Sequence, residues 1–98
     1  MVENKKINLI CERRLEKYFS ITEKALDIAK KNINKNKEKE AKEILEMATC
    51  YLTDAKYFEK EEHYVNAFAC INYAHGWLDS GVRLGIFNVK DNNLFVVK

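Results

Sequence analysis

Apolar residues recur at three- and four-residue steps along most of this 98-residue chain, the spacing of one face of an α-helix. Ile7, Ile10, Cys11, Leu15, Tyr18, Phe19, Ala25, Leu26, Ala29 and Ile33 outline a first helix over about 4–33. Ser20-Ile21-Thr22-Glu23 matches a capping box, which ordinarily marks a helix start. The apolar register passes through it without a slip, so one continuous helix is expected. Asn32, Asn34 and Asn36 then interrupt the periodicity and read as a turn. Asn36 is the expected N-cap, with Glu38 and Glu40 placed where the helix dipole favours them. A second helix over 37–60 carries Ala41, Ile44, Leu45, Ala48, Leu52, Ala55 and Phe58 on one face. Its alanines repeat every seven residues, which lets another helix come close. Cys50, Asp54 and Tyr57 lie on its far side.

Lys60 to His63 links this helix to the next without Gly, Asn or Pro, and so short a link makes an antiparallel hairpin. The third helix, 64–84, has two apolar stripes on nearly opposite sides: Tyr64, Phe68, Ile71, Leu78 and Val82, and then Cys70, Tyr73, Trp77 and Leu84. Gly85 stands where a left-handed C-cap residue is wanted, and Ile86 and Phe87 can fold back on the last turn. The tail 86–98 ends in the β-favouring Leu94-Phe95-Val96-Val97 and is expected to lie extended. The expected fold is one all-α domain over 1–98: a three-helix antiparallel (up-down-up) bundle with a short extended C-terminal tail.

Composition agrees and narrows the function. The chain is 47% hydrophobic and 33% charged, with no proline, which suits a folded helical protein rather than a disordered one. No apolar run approaches the roughly 20 residues of a membrane span, and the first residues lack the apolar core of a signal peptide. Three cysteines without CxxC spacing argue against a zinc knot or a disulfide framework. Reduced thiols in a cytoplasmic protein, with no membrane association, are the expectation. Net charge is +2, but residues 1–42 hold twelve Lys/Arg against seven Asp/Glu. Lys30, Lys31, Lys35, Lys37, Lys39 and Lys42 form the most basic patch. No aromatic or Arg is interleaved with them for base stacking, so a solvated turn is expected there and nucleic-acid binding is the less favoured alternative.

From Tyr51 to Phe87 the residues YLTDAKYF and YVNAFACINYAHGWLDSGVRLGIF closely resemble the short archaeal proteins grouped as domain-of-unknown-function family 357. The resemblance is good over 51–87, loose over the first helix and absent in the tail. Its most specific run is Asn72 to Asp79 followed by Arg83-Leu84-Gly85. One departure is Glu62-His63, where the family tends to have Gly-Asp, which implies a differently shaped turn and a weaker N-cap. The resemblance implies an all-α bundle and no established activity.

The candidate chemistry lies on the third helix. Asn72, His75, Asp79 and Arg83 share one edge at helical spacing. They read as a hydrogen-bonded seam, in which Asp79 pairs with Arg83 and orients His75, or as a ligand site. Two adjacent ligands are too few for a metal, no catalytic residue set is legible, and no cofactor is implied. Tyr73 and Trp77 read either as core, covered by Tyr18 and Phe19, or as an interface with a protein partner or a second copy. Gly76 and Gly81 each weaken the helix by about 1 kcal/mol relative to Ala, so something must approach closely. A non-catalytic interaction or self-association module ranks first, and a nucleic-acid- or nucleotide-binding domain using 30–42 second.

Overall fold

In a computed structural model, residues 12–90 are described. They form α1 (Glu12–Lys30), a 3-10 turn (Lys35–Lys37), α2 (Glu38–Lys60) and α3 (Tyr64–Arg83), an all-α three-helix bundle. α1 runs unbroken through Ser20–Glu23: Thr22 is buried in the apolar register, and Glu23, which would have closed a capping box on Ser20, pairs with Lys56 of α2 instead. The expected start of this helix, Cys11, and the stretch Leu94–Val97 lie outside the described residues.

The first turn departs from expectation. α1 stops at Lys30 and does not reach Ile33, because Ile33 instead forms an isolated antiparallel bridge with Phe87. Asn34 N–H donates to Ile86 O at 2.9 Å and Asn88 N–H to Asn32 O at 2.7 Å. Asn36 does not cap α2, whose N-cap is Lys37 with no side-chain cap bond. Asn34 caps the preceding 3-10 turn, its side chain accepting from Asn36 N–H at 2.9 Å and donating to Gly85 O at 2.9 Å. One asparagine therefore starts the turn and ties it to the end of α3. Asn32 caps the other end, its side chain donating to Ile28 O at 2.7 Å.

α3 is the central helix. It packs extensively on α2 and less so on α1, while α1 and α2 barely touch. The core is unusually small in side-chain volume. Ala25, Ala29, Ala41, Ala48, Ala55, Ala67 and Ala74 are fully buried, joined by Leu15, Phe19, Ile44, Leu52, Ile71, Leu78 and Val82. Leu45 and Phe58 sit at its margin, half-buried. The Lys56–Glu23 ion pair, 3.0 Å long, bridges α1 and α2 at the surface.

Both ends of the hairpin close in the same way. After α3, Gly85 takes φ +76°, Ile86 N–H reaches back to Gly81 O at 2.8 Å and Gly85 N–H to Val82 O at 3.1 Å, a Schellman cap. Ile86 and Phe87 are buried by it. After α2, His63 N–H bonds Phe58 O at 2.8 Å and Glu62 N–H bonds Glu59 O at 3.0 Å, the same motif. Here, however, the left-handed position is Glu62, at φ +62°. A side chain there costs roughly 1–2 kcal/mol. His63, at the N-cap of α3, makes no side-chain cap bond. Glu62→Gly should raise the unfolding free energy by about 1 kcal/mol, and His63→Asp by about 1 kcal/mol more through N-capping, both read by urea denaturation followed by circular dichroism.

The two helical glycines differ. A Cβ at Gly81 would run into the Phe87 ring and lie 3.3 Å from Ile44 Cδ1, whereas one at Gly76 would meet nothing within 4 Å. Gly81→Ala should lower stability by about 1–3 kcal/mol through overpacking. Gly76→Ala should raise the stability of the isolated chain, measured at a concentration that keeps it monomeric, by about 1 kcal/mol, the helix-propensity difference. The same denaturation series checks both.

Candidate functional site

Helical spacing brings Asn72, His75 and Asp79 to one edge of α3, where they face α1. They line a shallow cleft of about 270 Å³ together with Tyr18, Ile21 and Thr22. His75 Nδ1 lies 3.1 Å from Thr22 Oγ1, and His75 Nε2 lies 3.7 Å from Asp79 Oδ1. A hydroxyl that donates to Nδ1 leaves the ring proton on Nε2, turned toward the carboxylate. Thr22 was not among the residues the sequence marked as a site, although a hydroxyl on the apolar face of α1 was the available signal. Arg83 is exposed in the last turn, and among the described residues no carboxylate lies within ion-pairing distance of it; Asp79 stands beside His75 instead. Among the described residues no three His, Cys, Asp or Glu side chains come together as a metal site requires.

On the other side of the same helix lies a groove of about 560 Å³, lined by Tyr51, Asn72, Tyr73, Gly76, Trp77 and Ser80. Tyr51 stacks on Tyr73 with ring centroids 5.0 Å apart and planes 12° from parallel. Tyr73 is 63% exposed and Trp77 37%. The residues expected to cover them have gone elsewhere. Tyr18 packs edge-on against Phe68 at 5.2 Å, and Phe19 is buried in the core. The second stripe therefore stands outside the core of the described residues. Asn72 and Gly76 line both depressions and form the ridge between them.

The six lysines gather at one end of the bundle, around the C-terminus of α1, the 3-10 turn and the first turn of α2. All are exposed except the half-buried Lys37, and Lys31 pairs with Asp27 at 3.2 Å. They are well away from the α3 clefts.

With this geometry in place, the comparison with known families is informative. Residues 17–87 match a family described as "Protein of unknown function (DUF357)". The chain belongs to the DUF357 family. The match takes in the α2–α3 hairpin, both clefts of α3 and the returning Ile86-Phe87, so these features all fall within the family domain. No curated protein and no solved structure matched.

One thiol in this region is tuned by its surroundings. Cys70 and Cys50 are both free, and partial burial followed by the Asp54 carboxylate pushes the Cys70 thiol above its ordinary value. Removing that negative charge favours the thiolate. In a Cys11→Ser/Cys50→Ser background, Asp54→Asn should make Cys70 react faster with a disulfide reagent at pH 8, as followed by absorbance.

Proposed function

We propose that this chain is a non-catalytic protein-interaction module of the archaeal cytoplasm, which holds its partner on the outward face of α3. The carrying observation is that face itself. From Tyr64 to Leu78 the helix has no Asp, Glu, Lys or Arg, yet one side of it is exposed to solvent and bears Tyr73 and Trp77. A helix facing only water ordinarily carries charges there. Aromatic anchors beside a groove, rimmed by polar groups, are what protein interfaces use. His75 and Asp79 fit the rim of such a surface: the one hydroxyl beside His75, that of Thr22, is buried in the core at 1% exposure and so is closed to a substrate. Cytoplasmic placement is supported by the free thiols of Cys50 and Cys70. Among the described residues, no helix is long and apolar enough to cross a membrane.

The test is affinity capture from native lysate at low and high salt, comparing wild type with Tyr73→Ser/Trp77→Ser. A stoichiometric protein should be retained at high salt by wild type and lost by the variant, whose helical content stays unchanged. Retention by the variant would overturn the reading. So would recovery of nucleic acid at low salt only, which would assign binding to the lysines of the turn.

A further inference from the structure

The outward face of α3 is flanked by two edges of opposite charge. On α1, the side adjoining the Tyr18/Ile21 cleft continues at helical spacing through Arg14, Lys17 and Lys24, with no carboxylate on that line. On α2, the side adjoining the Tyr51 groove continues through Glu43, Met47 and Asp54, with no Lys or Arg on it. All these charged residues are exposed. The molecule thus presents a basic edge, an uncharged helix with aromatic and small side chains, and an acidic edge, side by side.

We infer that the partner on this face is a second copy of the chain, related by a twofold axis running along α3, so that the two α3 helices lie parallel. This rests on the interaction reading above and names its occupant. The charge pattern selects both partner and orientation. Turning one copy about an axis parallel to α3 lays each basic edge over the other copy's acidic edge. An axis across α3 would set basic on basic and acidic on acidic, which repels.

The levels along the helix agree. Tyr18 packs on Phe68, so its neighbour Lys17 stands near the level of residue 68. Asp54 is the carboxylate that acts on Cys70, so it stands near residue 70. An axis along α3 preserves level, and two residues of helix separate them by about 3 Å. Thr22 meets His75 and Ile44 lies at Gly81, which on the same basis sets the levels of Lys24 and Glu43 about 8 Å apart along the axis. Gly76, with open space where its side chain would be, lies at the centre of the contact and lets the two helices approach. The occupant is matched by an apolar centre with a complementary rim, the isologous arrangement of twofold dimers.

Sedimentation equilibrium tests this with two variants, Lys17→Glu/Lys24→Glu and Glu43→Lys/Asp54→Lys. Wild type should dimerise. Each variant alone should dissociate about tenfold more readily, since every pairing becomes repulsive, and an equimolar mixture should recover wild-type affinity as a heterodimer. A wild type that stays monomeric at about 100 μM, or a mixture that fails to recover, would overturn the inference. A monomer that still captures another protein through Tyr73 and Trp77 would overturn the dimer and leave the interaction reading standing. A dimer indifferent to Tyr73→Ser/Trp77→Ser would overturn that reading instead.

Discussion

The close approach of α2 and α3 is the constraint on which the rest of this molecule depends. Stacking of Tyr51 on Tyr73 marks the antiparallel register. The facing sides of the pair carry Ala41, Ala48 and Ala55 on α2 and Ala67, Ala74 and Gly81 on α3. All six are buried, and between the larger Ile44, Leu52, Ile71 and Leu78 they let the two backbones come close. Dispersion rises steeply with such proximity, and little conformational entropy is lost by alanine. Gly81 takes the seam one step further, because its bare Cα receives the ring of Phe87. Through Phe87 and Ile86 the end of α3 is fastened to Asn34 and the first turn, and thus to the junction of α1 and α2.

The buried faces of α2 and α3 hold small and aliphatic side chains, and the aromatics of the hairpin lie on its flank. Tyr51, Tyr73 and Trp77 are displaced to the outer flank of the hairpin. Phe19 and Leu15 are buried on the α1 side, where Thr22 meets His75 across the α1–α3 contact. The exposed aromatic face lies beside this packed seam and not within it. It also leaves α3 supported on both sides while its outward surface stays free of charge, which is the condition for docking another helix.

The polar pair on the α1 side has a structural role in the same frame. Thr22 is 1% exposed, and a buried hydroxyl without a partner is destabilising by about 1–3 kcal/mol. His75 supplies that partner across the helix interface. The pair fixes the rotation of α1 about its own axis, and with it the direction in which Arg14, Lys17 and Lys24 point.

Much of this was legible in the chain itself. Periodicity alone marks three helices, since each buried face is written at local spacing and needs no knowledge of the neighbours. The alanine heptad of α2, the C-cap at Gly85 and the return of Ile86-Phe87 follow from the same local rules. What tertiary structure decided is whatever depends on which helices meet and how closely. Asn36 lost its expected place as the cap of α2 because a 3-10 turn precedes that helix, capped by Asn34, whose side chain also reaches Gly85 across the bundle. Thr22 joined His75 because α1 lies against that edge of α3. Tyr73 and Trp77 were left outside because Tyr18 found Phe68 instead. A sequence specifies the two apolar stripes of a helix, but only the packing of the whole bundle determines which stripe is buried, because burial is a contest among all the faces for a limited number of neighbours.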